Sequence, residues 1–539
     1  MENLSNDKKG KRLPQKCDII KQDFQYDRID GENKMNNKKI IGALVALCLL
    51  LGGCGQPVIG EQQAFNPNLT VGESQTREAE HSTVEVLKLP CDYHSLTASP
   101  WNCTDWNSRK ATTLLYDSPV HLSDRFQAEP ALTTVSGSGT QWTLTVREGA
   151  VFSDGSELTA KDINDSLTLA MAEGSFYRYS LSGISEHRVN AEGQVEITLK
   201  APDALFANLL TFPVAKQQGE SYLGSGRYRY ASETENGIML ERNPDYWGPA
   251  SSIPKIELVE LDKKDVATYS LKLREIDCLY TEGASGDIRN LSTGDYPAVS
   301  NQLIFLGANN NRTNPANPAL RRAISRAIDR EYLVQAALST SASVSVLPLH
   351  PNFEPIAGTK VEKANADEAL KILREGEVLQ EGDTMELSLL YCTDGSDRTQ
   401  TAHQIAAQLA EIGIQVTLDG RAQEEYFSTL NAGSYDLYLG EILLGDDMDL
   451  SHLFSRGERY GYGALPSDTL MAAYQSAFAT GQGWESFAEQ FVQEYPVIPL
   501  AFRNGTFSFS REFSLNVNAV RSDLFFNIDQ WQKTPKSAD

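Results

Sequence analysis

The chain has 539 residues, of which 41% are hydrophobic and 9% aromatic, and a formal charge of −24. That length exceeds one ordinary core and suits two or three globular domains. So acidic a surface repels nucleic acid and anionic lipid headgroups, and seven scattered His residues with no CxxC or Cys/His cluster exclude a zinc site of familiar spacing.

Residues 1–34 are polar and charged, without the apolar periodicity a core requires. The first 53 residues carry ten Lys and Arg against seven Asp and Glu, so the remainder is more acidic still. Met35-Asn-Asn-Lys-Lys then precedes an apolar run from Ile40 to Leu51, followed by small residues up to Cys54. A basic start, a short apolar segment and small residues are the parts of an export signal over 35–53, and the run is shorter than the ~20 residues of a membrane-spanning helix. Translation is expected to begin at Met35, which leaves 1–34 as an untranslated or disordered extension. Leu51-Gly-Gly-Cys54 resembles a bacterial lipobox, with Gly52 where Ala or Ser is commoner. The resemblance implies that Cys54 is lipidated and becomes the new N-terminus; the alternative is an uncleaved anchor. Either way, everything beyond it is extracytoplasmic and tied to a membrane.

Residues 54–82 read as a flexible tether. Order begins at the alternating strand Thr83–Leu89. Cys91 and Cys103, twelve apart in an exported chain, are a candidate disulfide; Cys278 and Cys392 read as buried thiols. Trp101, Trp106 and His94 cluster around Cys103, as packing or as aromatic ligand contacts. Trp142, Leu144 and Val146 alternate as a half-buried strand, Asp154-Gly155 is a turn, and Thr159 with Asp162 starts a helix. Val195, Ile197 and Leu199 form another strand, and a short helical pattern runs to Leu210. Asn317-Pro318 caps a helix through Ile328, and a stripe from Ala402 to Ile412 ends at Gly413 before the strand Ile414–Leu418. Glu386–Tyr391 and Asp436–Leu439 are further strands.

Several stretches resemble, in order, the motifs of the family 5 extracellular solute-binding proteins, the receptors of peptide and nickel ABC importers. They are WTLTVREGAVFSDGSELTAKDINDS from Trp142, SGRYRY from Ser225 (Arg227 where the family has Pro), LERNPDYWG from Leu240, PALRRAISRAIDRE from Pro318, IAAQLAEIGIQVTL from Ile405 and YPVIPLAF from Tyr495. The resemblance covers roughly 84–531. It implies an α/β, two-lobed periplasmic-binding-protein-like clamp of type II with mixed sheets flanked by helices. One lobe would be discontinuous, 83–308 with 491–539, and carry an extra subdomain at about 112–210. The other would be 309–490, with crossings near 308 and 491. The NPDYW turn is expected to be packed structure.

The stretch YDLYLGEILLGDDMDLSHLF, from Tyr435 to Phe454, resembles the family's cleft strand. The resemblance implies that Asp446 holds a ligand ammonium group, with Asp447, Glu441, Phe502 and Arg503 as further ligand-binding candidates; Asp446, Asp447 and Asp449 read equally as a solvated loop. Leu443 and Leu450 depart from the family's Trp and Pro. The implied function is capture of a small solute, a short peptide first, for an ABC transporter permease, by a lipid-anchored monomer without cofactor, metal or catalysis. A peptide-sensing receptor, or an importer receptor for a nickel chelate or sugar, are the alternatives. No GxSxG, HExxH or P-loop points to an enzyme.

Overall fold

The computed structural model describes residues 85–103, 105–261, 266–282, 294–338, 342–454, 461–463, 465–510 and 516–531. The expected extension 1–34, signal 35–53, lipidated Cys54 and tether 54–82 lie outside the described residues. Among the described residues no helix is long and apolar enough to cross a membrane.

Local sequence logic accounts for most elements. In the strand Gln141–Val146, Trp142 and Leu144 are buried while their neighbours are more exposed, the period-two pattern of a half-buried sheet. Gly155 turns at φ +80°, and the Asp154 carboxylate accepts from Ser156 N at 2.9 Å. The helix Ala160–Ala170 starts where Asp162 accepts from Thr159 N at 2.8 Å. Asn317 caps Pro318–Ala327 by accepting from Ala319 N at 2.9 Å, with Pro at the first position, where no N–H is missed. Gly413, at φ +81°, turns the chain after the helix Ser396–Ala410 into the strand Ile414–Arg421, which pairs in parallel with Met385–Cys392.

The NPDYW segment is packed structure. Asn243 Nδ2 donates to Gly226 O at 3.0 Å, and Trp247 Nε1 donates to Asp117 Oδ2 at 2.6 Å. Arg227, which stands where a proline was expected, forms a buried ion pair with Asp523 at 3.0 Å and so ties the C-terminal segment down. Cys91 and Cys103 are buried free thiols, so the expected disulfide is not formed. Burial pushes both up, Cys103 to about 11, and a protonated thiol is a poor partner for disulfide exchange.

Apolar side chains gather into two large cores. One draws on residues between Leu87 and Leu258, with Tyr280, Ala298, Phe507, Phe509 and the C-terminal Phe525 and Trp531. It carries a four-stranded sheet in the order Val86–Pro90, Lys255–Val259, Gly237–Arg242, Tyr228–Glu233, and an antiparallel one in the order Thr133–Ser138, Gln141–Val146, Val195–Leu199, Ile184–Val189. The other core spans Leu303 to Phe502 and also takes in Leu122 and Phe126. Its mixed sheet runs Cys278–Thr281, Val497–Phe509, Gly294–Ala308, Leu437–Leu443, Met385–Cys392, Ile414–Arg421, with Ala342–Val344 and Ala519–Val520 added at the two long strands.

Those two long strands join the cores. Gly294–Ala298 pairs with Gly505–Phe509, the register breaks, and Gln302–Gly307 then pairs with Val497–Arg503. Ala298, Phe507 and Phe509 lie in the first core, whereas Leu303–Leu306 and Val497–Phe502 lie in the second. Each strand therefore passes from one core to the other, at 298–302 and at 503–507. The apolar halves of both strands are committed to the second core, and an irregularity in pairing is where a sheet bends most easily.

Candidate ligand-binding cleft

Asp446 lies in the loop that follows the strand Leu437–Leu443. Two bonds to Asn301 anchor the loop: Leu444 N donates to Asn301 O at 2.9 Å and Asn301 Nδ2 to Gly445 O at 2.7 Å. A Cβ at Gly445 would stand 2.2 Å from the Asp447 carboxylate, which would have to move aside. From the first core, Asn208 Nδ2 donates to Asp446 O at 3.0 Å. The Asp446 carboxylate itself has no hydrogen-bond or ion-pair partner among the described residues. It is half-buried, with protein crowding around it. Burial pushes its carboxyl up to about 6, against the pull of Arg521 and Lys110.

Lys110 and Arg521 face it from the first core. Lys110 is on the helix Trp106–Leu115, whose N-cap Asp105 accepts from Ser108 N at 2.9 Å. Its ammonium donates to Arg521 O, and burial, with Arg521 close by, pushes it down to about 7. Arg521 Nε pairs with Glu282 at 3.2 Å. Burial pushes the Glu282 carboxyl up, but Arg521 and Lys110 outweigh it and the net shift is downward. Trp106, 36% exposed, is the common neighbour: Arg109 lies 4.1 Å, Arg521 5.3 Å and Lys110 5.8 Å from its ring centroid. Of the early aromatic cluster, Trp101 is core, its indole donating to Pro213 O at 3.1 Å, and Trp106 reaches this corner.

The other candidates sit elsewhere. Asp447 is buried, and burial with the charges of Asp203 and Asp449 pushes its carboxyl well up. Asp449 is spent on its own loop, accepting from Ser451 N at 2.8 Å and from Tyr474 Oη at 2.9 Å. Glu441 is gripped by Arg503 at 2.6 Å, Arg398 at 3.2 Å and Gln302 at 2.7 Å. Burial raises its carboxyl, but the two guanidiniums carry the net shift below the usual range. Arg503 also pairs with Asp397 at 2.7 Å and is 2% exposed. Its Nη1 is buried and meets no partner among the described residues. Phe502 is fully buried, its ring against His350. Asp446 and the Lys110–Arg521 corner thus come together, while Glu441 and Arg503 form a separate buried network. Reasoning from sequence missed Lys110, Glu282 and Arg521: a lysine on a buried helix face is a faint signal, and Arg521 arrives from 411 positions away with no local pattern. Among the described residues no cluster of His, Cys, Asp or Glu could hold a metal ion.

Comparison with known proteins bears on the family and the fold. The family described as bacterial extracellular solute-binding proteins, family 5 Middle, matches residues 97–460. Protein XP55 of Streptomyces lividans is 25% identical over 346 residues, 59% of this chain and 63% of that protein, so the matched region is under two thirds of that relative's length. The dipeptide-binding protein DppE of Bacillus subtilis is 21% identical over 524 residues, 87% of this chain and 94% of DppE. Among solved structures, a nickel ABC transporter protein from Bacillus halodurans superposes with a TM-score of 0.68 at 16% identity, over 83% of this chain and 99% of that one. The unliganded open form of the murein tripeptide-binding protein MppA gives 0.67 at 16% identity, over 84% and 98%. These likenesses show the α/β periplasmic-binding-protein-like fold.

Proposed function

Because the chain belongs to the family 5 bacterial extracellular solute-binding proteins, a family that binds solutes without chemistry, we propose that it captures a short peptide and delivers it to an ABC import permease. The observation that carries this reading is the Asp446 carboxylate, half-buried and unpartnered among the described residues. Such a group attracts a ligand cation, because an anion crowded by protein is costly until a countercharge reaches it. A peptide's terminal ammonium is a cation of the right size. DppE is named for dipeptides and MppA for a murein tripeptide, which supports the same class. We place the clamp's two lobes around the two cores, with the long strands at 298–302 and 503–507 as the crossings between them. The receptor is anchored outside the cytoplasm by a lipid on Cys54.

The test is to unfold the purified body, refold it free of carried-over ligand, and screen di- to pentapeptides, glutathione, nickel chelates and sugars by thermal shift. A ligand that binds only the native state adds RT ln(1 + [L]/Kd) to stability, about 2.7 kcal/mol at a hundredfold excess over Kd. Peptides should raise Tm. A shift with chelates or sugars alone would replace the peptide assignment.

A further inference from the structure

The turn that presents Asp446 is held at both ends by one side chain. Asn301 Nδ2 donates to Gly445 O at 2.7 Å and reaches Met448 Sδ at 3.6 Å, while its backbone oxygen accepts from Leu444 N at 2.9 Å. Inside the turn Met448 N donates to Gly445 O at 3.1 Å, and Met448 is held at φ +63°, a conformation that a non-glycine residue resists. Asn301 is 1% exposed, and its Oδ1 has no partner among the described residues. A buried acceptor left unmet costs free energy. An apolar side chain of similar size would avoid that cost, so packing alone does not account for the amide, whereas the turn it grips does.

The place of Asn301 in its strand matters as much as its bonds. It lies within 298–302, where the pairing of Gly294–Ala308 with Val497–Phe509 loses register and the strand passes from one core to the other. Close by, Val299 pairs with Val520, and its oxygen accepts from Arg521 N at 2.8 Å. Arg521 and Lys110 are the cations that act on the Asp446 carboxyl, and Asp447 is its acidic neighbour. One short stretch, Val299–Asn301, thus holds Arg521 by its backbone and the Asp446 turn by its amide. From the first core, Asn208 adds its bond to Asp446 O at 3.0 Å.

We propose that Asn301 is a positioning residue for ligand binding: it sets Asp446 against Arg521 through the turn Gly445–Met448, so that a bend of the strand at 298–302 moves the ligand-binding carboxylate. The proposal rests on the reading of Asp446 above as the seat of a ligand cation. Asn301 is buried and acts through the turn. Its bonds to Leu444 N and Gly445 O grip the backbone on the approach to Asp446, which is the direct way to fix where that side chain starts.

The experiment makes Asn301→Ala, and the milder Asn301→Ser that keeps one donor, each with Asp446 present and with Asp446→Asn. Urea titration between pH 4.5 and 7.5 reads the stability difference that Asp446→Asn makes in each background. The midpoint of that difference marks the carboxyl, at about 6 in the wild type. Release of the turn admits water to the carboxyl, so the midpoint should fall by about one pH unit in Asn301→Ala and by less in Asn301→Ser. A side chain that only supported the fold would lower stability alike at every pH and leave the midpoint in place. Calorimetry with trialanine reads affinity on the same proteins. Asn301→Ala should weaken binding about tenfold where Asp446 is kept and no further where Asp446→Asn is already present. An unmoved midpoint, or an equal loss of affinity with and without Asp446, overturns the positioning role. Failure of trialanine to bind the wild type overturns the peptide reading, and the midpoint still decides the role of Asn301.

Discussion

The Phe126 ring packs on His350 with centroids 4.9 Å apart, and His350 in turn meets Phe502 at 4.9 Å. Phe126 comes from the turn between Val120–Leu122 and Ala128–Pro130, most of whose neighbours in sequence serve the first core, yet it is buried in the second. Its φ of +57° is a conformation a bulky side chain resists, held here by Asn208 Nδ2 on Phe126 O at 2.8 Å and Asn352 Nδ2 on Asp124 O at 3.0 Å. Phe126→Ala should cost about 3–5 kcal/mol by emptying this seat. Urea titration would read it as a lower midpoint, and a loss under 1 kcal/mol would mean that the seat collapses or refills.

His350 predicts a pH effect of definite sign. Its Nδ1 accepts from Asn352 N at 3.1 Å, which puts the proton of the neutral ring on Nε2, a buried atom without a partner among the described residues. Burial pushes the imidazole down to about 3 from an unfolded value near 6.5. Between those values the unfolded chain binds a proton that the folded one refuses. Its contribution is therefore intact above about pH 6.5 and is lost as pH falls, by up to about 1.4 kcal/mol per unit. His350→Phe should flatten that part of the stability profile, measured by denaturation at pH 4.5, 5.5 and 7; an unchanged slope would place the acid sensitivity elsewhere.

Much of the fold was legible because its signals are local. Alternation at Trp142 and Leu144, the Asn317-Pro318 cap and the left-handed Gly413 each follow from a few neighbouring residues. Which core a long strand enters was not legible, because an apolar strand looks the same whichever core it joins: Leu303–Leu306 and Val497–Phe502 carry no mark of the core they serve. The cleft was half legible. Asp446 stands in a motif, whereas the neighbouring charges Lys110, Glu282 and Arg521 are brought together only by the fold. Glu441 and Arg503 were read as ligand-binding candidates, and in the structure they pair with each other. Sequence does not show which buried charge has found a partner.

That partnership can be tested alone. Arg503 holds both Glu441 and Asp397, at 2.6 and 2.7 Å, with almost no solvent to screen them. Removing one member of a buried ion network costs about 3–5 kcal/mol because the remaining charges lose their compensation. Arg503→Met should destabilise by that amount, and adding Glu441→Gln should recover part of it. A double-mutant cycle with a coupling below about 0.5 kcal/mol would show that the two side chains act independently.

The proposed anchor makes a separate prediction, since it would depend on Cys54 and not on the two cores. Cells expressing the full chain and fed a labelled fatty acid should label the protein, and Cys54→Ser should abolish the label. Retained label in the variant would move the lipid to another residue. A single acyl chain holds a protein only weakly, so full membrane retention also calls for more than one chain on the processed terminus.

Asp446 links the site to pH most directly. Its carboxyl sits at about 6 in the folded protein, above the ordinary value near 3.9, because burial disfavours the charge more than Arg521 and Lys110 favour it. A group raised in this way lends stability that is complete below the unfolded value and is lost as pH rises through about 6, on the order of 2 kcal/mol by neutral pH. Ligand binding has the opposite dependence. A cationic ligand needs the ionised form, so affinity should fall below pH 6 by up to tenfold per unit, while the unliganded protein grows more stable over the same range. Asp446→Asn should separate the two effects. The variant should be at least as stable as the wild type at pH 7, should lose the change in stability near pH 6, and should bind about 2–5 kcal/mol more weakly, as expected for truncation of one partner in a buried charge pair. Calorimetry and urea titration at pH 5, 6 and 7 measure both quantities on the same samples. If the variant unfolds, or binds as tightly as the wild type at pH 7, Asp446 serves the loop and not the ligand.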